Sequence, residues 1–213
     1  MNKLILATGA ALCVLSGTAF AADLVIEEPA IAAPAADTGI YLQLLAGGSL
    51  PGTIYYFDPD DGSDDGDDEL PAGGAVAAVI GIGTGLEGLS VEGDFFLTQR
   101  DYVDGNYTLT TGTAMAALKY TVSINDSFAL YGAIGLGGVY QHDEASGGGT
   151  VYVDGWGLGY LLKAGVTAKV AEQISLVGEV RYANSFDPIG AESTYDDEQA
   201  GAAAVLVGVQ IGF

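Results

Sequence analysis

The chain has one cysteine, Cys13, one histidine, His142, and six lysines and arginines against 28 aspartates and glutamates. Each scarcity excludes something. Cys13 lies in the first 21 residues, which read as a leader, so the remainder can form neither a disulfide nor a thiolate metal site. One of the six basic residues is Lys3; the others are Arg100, Lys119, Lys163, Lys169 and Arg181. A formal net charge of −22 argues against nucleic acid as a partner and against a basic clamp on anionic headgroups, but it is compatible with divalent cations. After the leader there is no run of about 20 apolar residues, the length a membrane helix needs. Yet the mean hydropathy is +0.34 and there are 33 glycines. High hydropathy, abundant glycine and no long apolar run together fit a β-barrel in a membrane.

The leader reading rests on Lys3 as a positive start, an apolar stretch over 4–15 and the small-x-small site Ala19-Phe20-Ala21. Leu12 is too large to precede a lipidated cysteine at Cys13. Cleavage after Ala21 is expected. Residues 22–38, rich in Ala and Pro with Glu27, Glu28 and Asp37, read as a short extended periplasmic tail. Residues 39–213 read as one domain.

The last stretch, AAVLVGVQIGF, sets the pattern. Ala203, Val205, Val207, Val209, Ile211 and Phe213 share one face of an extended strand; Ala204, Leu206, Gly208, Gln210 and Gly212 share the other. A half-buried strand of a soluble protein would carry charges outside, and this one has none. An apolar outside over a small or polar inside is the pattern of a lipid-facing barrel strand. Strands of this kind are predicted over 39–49, 73–82, 89–100, 109–122, 128–141, 151–167, 174–186 and 200–213, and together they predict a closed eight-stranded antiparallel up-and-down transmembrane β-barrel. The connections over 83–88, 123–127 and 168–173 are short. Those over 50–72, 101–108, 142–150 and 187–199 are longer and polar, the asymmetry of periplasmic turns and extracellular loops, with both chain ends in the periplasm. Tyr41, Tyr120, Phe128, Tyr131 and Phe213 are expected in a periplasmic aromatic girdle; Tyr102, Tyr107, Tyr140, Tyr152, Trp156 and Phe186 in an outer one.

Parity also places the charges. Glu92 and Asp94 oppose Val91, Gly93 and Phe95; Lys119 opposes Leu118 and Tyr120; Lys163 opposes Leu162 and Ala164; Glu179 and Arg181 oppose Gly178, Val180 and Tyr182. A Lys or Arg on the lipid face near the midplane would cost ~2–4 kcal/mol. These six residues are therefore expected inside, as an ion-pair network filling a lumen just wide enough for side chains. A proton or ion path through that network is the alternative.

Several stretches resemble the small eight-stranded outer-membrane barrels related to the OmpA transmembrane domain, of the surface-antigen, porin-family type: the Ala-Asp start with its Pro-rich tail over 22–34, Val91-Glu92-Gly93-Asp94, LYGAIG over 130–135, Gly155-Trp156, GVTAKVAEQISLVGEVRY over 165–182, and 207–213. The terminal Phe213 resembles the signature read by the barrel-assembly machinery. The resemblance implies an integral outer-membrane protein with roles in envelope integrity and surface contact, among lipid and lipopolysaccharide. It assigns no ligand and no oligomeric state.

Two constellations bear on chemistry. Asp61, Ser63, Asp65, Asp67 and Glu69 lie in DPDDGSDDGDDE and resemble the front of a calcium loop, but position twelve is Ala72 where a bidentate Glu belongs. The expectation is a solvated acidic loop that binds divalent cations weakly, with no other cofactor. His142, with Asp143, Glu144 and Ser146, falls in a Gly-rich outer loop without the rigid scaffold a triad needs, so no catalytic residue is assigned. Three classes of function stay open: a structural and surface-interaction barrel, a narrow solute or ion conduit, and a lipid-modifying enzyme.

Overall fold

The computed structural model describes residues 39–58, 64–102, 107–145, 151–190 and 197–213. The leader and tail, 1–38, lie outside them. The strands are β1 (Ile40–Ser49), β2 (Gly52–Phe57), β3 (Asp64–Leu70), β4 (Gly73–Gly83), β5 (Leu89–Asp101), β6 (Tyr107–Ser123), β7 (Phe128–Ala145), β8 (Val151–Lys169), β9 (Ile174–Ser185), β10 (Asp197–Ala200) and β11 (Ala202–Gly212). Eight of them close into an antiparallel barrel in the order β1-β11-β9-β8-β7-β6-β5-β4, and the other three form a second sheet in the order β10-β2-β3.

The barrel follows from period-two alternation. Val205, Val207 and Val209 face out while Ala204 and Leu206 are buried. Leu44, Val76, Ile80, Val91, Phe95, Leu118, Ile134, Leu136, Leu158 and Val180 are exposed in the same sense on the other strands. An apolar surface continuous around a whole barrel is a lipid-facing band. It ends on β5 after Leu97, where Gln99 and Asp101 are the next outward residues.

Short turns join the strands at one end. Thr84 N–H donates to the Leu89 carbonyl at 3.0 Å, and Gly88 adopts a left-handed φ of 71° that a branched residue would resist. In the turn before β7, the Asn125 side-chain oxygen accepts from the backbone N–H of Ser127 and of Phe128, both at 2.9 Å. At the other end β6, β7 and β8 run to 17, 18 and 19 residues, well beyond the ~9–11 that cross a bilayer. The surplus carries the wall out past the apolar band.

Here the structure departs from the reading of 50–72 as a loop. Thr53, Ile54, Tyr55, Tyr56 and Phe57 are β-branched or aromatic, and such residues suit a pleated, half-buried surface. They form the central strand of the three-stranded sheet. The acidic stretch pairs with it as β3, Thr53 opposite Glu69 and Ile54 opposite Asp68. Ile54, Leu70 and Ala200 bury against Tyr102 and Leu109 of the barrel wall, so the sheet covers the long-loop mouth. From beside it, Ile189 packs onto Gly157, where a Cβ would lie 3.0 Å from the Ile189 Cγ1.

The girdles differ from expectation in their members. Tyr120, Phe128 and Phe213 are exposed at the short-turn end, but Tyr41 and Tyr131 are buried. They share parity with Gln43 and Ala133, so strand geometry turns them inward. Towards the long-loop end, Tyr140 tilts against Trp156 at 5.2 Å and Tyr160 against Phe186 at 5.4 Å. Tyr102 is buried beneath the sheet instead, edge-on to Tyr107 at 5.8 Å. The Tyr152 side chain lies outside the described residues.

Leu136 is 63% exposed on the band. Leu136→Arg should lower the barrel's unfolding free energy by about 2–4 kcal/mol if it sits near the midplane, measured by denaturant titration in lipid vesicles. Thr113→Ser, on the lumen face, should change it little.

Candidate functional site

The candidate site is the charged layer across the lumen. Glu92 and Asp94 come from β5, Lys119 from β6, Lys163 from β8, and Glu179 and Arg181 from β9. All six are between 0% and 5% exposed. Lys163 Nζ sits at the centre, 2.7 Å from Glu92 Oε2, 2.6 Å from Asp94 Oδ2 and 3.9 Å from Glu179 Oε2. Lys119 Nζ lies 2.8 Å from Glu92 Oε1. The Arg181 fork spans two carboxylates: Nη1 reaches Asp94 Oδ1 at 2.8 Å, while Nη2 and Nε reach Glu179 Oε1 at 2.5 and 2.7 Å. Three cations meet three anions, so the layer is neutral as a whole. Neutrality matters because a charge buried without its partner costs several kcal/mol, whereas charge-assisted pairs with full hydrogen bonding offset most of that cost.

Two tyrosines complete the layer. Tyr41 O–H donates to Glu92 Oε1 at 2.6 Å, and Tyr131 O–H to Glu179 Oε2 at 2.7 Å. The Lys119 ammonium stands 3.9 Å from the centre of the Tyr41 ring and 5.1 Å from that of Tyr131, a cation–π sandwich. Each ring lies over a glycine of the neighbouring strand, Tyr41 over Gly81 and Tyr131 over Gly165, and a Cβ at either would collide with the ring. The glycines are the sequence signal for these tyrosines. A lone inward glycine next to an inward aromatic marks the place where a ring lies flat against the wall.

Above this layer the lumen turns apolar, with Leu45, Phe96, Met115, Val139, Leu161 and Leu206 buried together. The Arg181 Cζ is 4.8 Å from the Phe96 ring centre and joins the two layers. Towards the short-turn end Gln43 Nε2 donates to Gln210 Oε1 at 2.8 Å. The lumen is therefore filled across its section by side chains.

The other sequence candidates are dispersed. Asp61, Ser63 and Ser146 lie outside the described residues, and Asp65 is described by its backbone alone. Asp67 and Glu69 stand exposed along extended β3, their backbones about 7 Å apart at two residues' rise. Among the described residues no three acidic, His or Cys side chains cluster as a metal site. His142 is on β7 rather than in a loop. Its ring stacks on Tyr140 at 6.3 Å, its Nε2 is 3.5 Å from Glu144 Oε2, and its Nδ1 is 3.9 Å from Asp154 Oδ1. Asp143, the next residue, has the opposite parity and points inward, so the two cannot work as a base and its orienting acid.

Asp143 belongs to a latch beyond the apolar band. Tyr102 O–H donates to its Oδ2 at 3.0 Å, and Tyr56 O–H of β2 reaches the Tyr102 oxygen at 3.4 Å. Burial pushes the Asp143 carboxyl above its ordinary range, against the smaller opposing effect of the Tyr102 hydrogen bond. A raised carboxyl stabilises the fold only while protonated, and that contribution is lost as pH rises through its folded pKa.

Two outcomes are expected. Arg181→Ala leaves Asp94 and Glu179 short of a partner and should cost about 3–5 kcal/mol in unfolding free energy; Gly165→Val, which displaces Tyr131, should also destabilise. Asp143→Asn should raise the melting temperature at pH 7, with the gain shrinking as the pH falls into the carboxylate range. An advantage that grew on acidification would contradict the assignment.

No curated protein matches this chain. Among solved structures the fold is similar to that of NspA, Neisserial surface protein A, over 82% of this chain and 97% of that one, at a TM-score of 0.51 and 16% identity. It is also similar to that of the outer membrane protein OprG from Pseudomonas aeruginosa over 84% and 98%, at a TM-score of 0.51 and 14% identity. At such identities the likeness is one of fold. The family model for the outer membrane protein beta-barrel domain matches residues 11–213. The chain thus belongs to the outer membrane protein β-barrel domain family, as a small closed barrel of eight antiparallel strands set in the outer membrane.

Proposed function

We propose that this protein is a closed structural barrel of the outer membrane whose covered end contacts the surroundings of the cell. The observation that carries the reading is the filled lumen: the six-charge layer, its two tyrosines and the apolar layer above it. In this reading the short-turn end, where Tyr41 pairs with Gly212, faces the periplasm, so both ends of the barrel segment lie there after leader cleavage at Ala21. The three-stranded sheet then faces outward. A conduit would need the ion-paired layer to open. A lipid-modifying enzyme would need a nucleophile and a base in register, and among the described residues His142 stands beside Tyr140, Glu144 and Asp154.

The acidic edge gives the surface its chemistry. Asp67, Asp68 and Glu69 are exposed on β3. Carboxylates and the phosphates of lipopolysaccharide repel unless a cation lies between them. Ca²⁺ and Mg²⁺ take oxygen ligands, and an extended acidic strand offers many without wrapping any one ion. The reading is therefore of weak, diffuse cation binding over 61–69, bridging the protein to lipopolysaccharide or to other surfaces.

Planar-bilayer recording tests the first part: the purified barrel should give no stable conductance steps, and regular open-pore steps would favour the conduit. Calorimetry tests the second. Replacing Asp61, Asp65, Asp67 and Glu69 by their amides in blocks should weaken Ca²⁺ binding in graded steps, and no binding up to several millimolar, roughly the range of the weakest extracellular modules, would remove it.

A further inference from the structure

The cover over the mouth is built from barrel strands that bend. β2, β3 and β10 continue β1, β4 and β11, and the cover's order β10-β2-β3 repeats the barrel's order β11-β1-β4. All three strands break at one level. Leu50 and Pro51 separate β1 from β2, Pro71 and Ala72 separate β3 from β4, and Gly201 separates β10 from β11. Register is kept on both sides of the break. On the barrel side Ser49 is opposite Gly73 and Ala204; on the cover side Gly52 is opposite Leu70 and Ile54 is opposite Ala200. Proline has no N–H to give a ladder, and glycine bends with no side chain in the way, so the break has the chemistry of a hinge line.

Across the mouth the cover is fastened to the opposite wall. In the ring of eight, β7 stands farthest from β1. Gln141 of β7 donates from Nε2 to the Ala200 carbonyl at 3.0 Å. Tyr56 of the cover reaches the Tyr102 oxygen, and Tyr102 donates to Asp143 of β7. Ile54 and Leu70 pack on Tyr102 and Leu109 beside these bonds.

The charges beneath the cover do not balance. Beyond the six of the charged layer, three charged side chains are buried among the described residues: Arg100 at 1% exposure, Asp143 at 4% and Glu198 of the cover at 3%. That is one cation against two acids. The Arg100 nitrogens have no hydrogen-bond partner among the described residues, and neither has Asp143 Oδ1. The other groups around Asp143 bring no second cation to its face. Tyr102 follows β5, Tyr107 of β6 stands edge-on to Tyr102, and Tyr56 of β2 also bonds Asp68 of β3 at 3.2 Å. Val153 of β8 is directly opposite, and His142 and Glu144 on β7 have the other parity. Burial first and the Glu198 charge second hold the Tyr102 hydroxyl well above its ordinary range, so Glu198 acts on the same tyrosine that Asp143 bonds. One ionised carboxylate balances Arg100. A second would leave a net charge out of water, which is costly.

We propose that the three-stranded cover is a hinged flap seated by a proton: it lies closed over the mouth while Asp143 and Glu198 hold one proton between them, and it turns on the line through 50–51, 71–72 and 201 once both are ionised. In the open state both carboxyls meet water and titrate in the ordinary range. Burial raises the Asp143 carboxyl in the closed state, against the weaker pull of the Tyr102 bond and the His142 charge. A carboxyl raised on closing favours closure fully below the ordinary range, and that contribution is lost as pH rises through the closed-state pKa. The flap is therefore seated in mild acid and loosens towards neutral pH.

Hydrogen exchange on the full chain in detergent, in buffer free of divalent cations, tests the flap once rates are corrected for the intrinsic effect of pH on amide exchange. Protection at Ile54, Tyr56 and Ala200 should fall about tenfold for each pH unit between the open-state and closed-state pKa of the shared proton. Leu45 and Leu161 in the barrel should keep theirs. Asp143→Asn and Glu198→Gln each leave one carboxylate for Arg100, so each should flatten the dependence and keep the cover protected at neutral pH. Arg100→Gln should steepen it, since both carboxyls must then be protonated to close. A cover that exchanges in step with the barrel at every pH, or a dependence undiminished in both acid variants, would overturn the flap. Should Arg100→Gln fail to fold, the two acid variants still decide.

Discussion

The ladder between β1 and β11 is the constraint on which everything else rests. It joins the first and last strands of the barrel from Tyr41 opposite Gly212 to Ser49 opposite Ala204. In hydrocarbon an unpaired backbone amide or carbonyl finds no water and costs several kcal/mol, so an open edge along that seam would be untenable. Closure removes both edges at once. It also fixes the diameter: a ring of eight strands leaves an interior only wide enough for side chains, and those side chains must then satisfy one another.

That narrow interior is solved in two ways along its length. Towards the short-turn end the charges balance. Each carboxylate meets a cation, each tyrosine hydroxyl meets a carboxylate, and glycine opposite each ring makes the room. Towards the long-loop end the wall carries threonines, a glutamine, the Arg100 guanidinium and the Asp143 carboxylate that Tyr102 holds. The apolar layer of Leu45, Phe96, Met115, Val139, Leu161 and Leu206 separates the two. Through Phe96, the Arg181 fork is tied to this layer as well as to its carboxylates. In the balanced half every charged group is paired within the protein. In the covered half the Arg100 nitrogens and the Thr98 and Thr111 hydroxyls have no hydrogen-bond partner among the described residues.

The barrel was legible because alternation needs no knowledge of register. A strand such as 203–213 declares its lipid face by parity alone, and the eight barrel strands lie within a few residues of where that pattern puts them. The six charges of the layer follow the same parity, each opposing an apolar or glycine neighbour on its strand. Tyr41 and Tyr131 lie near strand ends, as girdle residues do, but their parity turns them inward, and their partners Gly81 and Gly165 become neighbours only once register is known. Arg100 was visible as one of few basic residues. Its isolation was not, since it depends on Leu109 rather than a carboxylate being its cross-strand partner. His142 and Asp143, adjacent in sequence, looked like companions until the strand put them on opposite faces.

The covering sheet was the least legible part, and the reason bears on what it does. A run of aspartates has low strand propensity and reads as a solvated loop. In the structure β3 is held by what it pairs with: β2 brings Ile54 under the sheet and Leu70 of β3 buries beside it, so apolar contacts anchor a strand whose Asp67, Asp68 and Glu69 side chains face water. β3 is also an edge, with β2 on one side. An exposed edge of apolar strand would template pairing with neighbouring chains, and charged side chains along it oppose that. The composition that hides β3 from propensity is thus the composition that lets an edge strand stand at an exposed surface without aggregating. In the function proposed above, the row of carboxylates that opposes strand addition is also the one that gathers divalent cations, so protection of the edge and contact through it would share a single chemical feature.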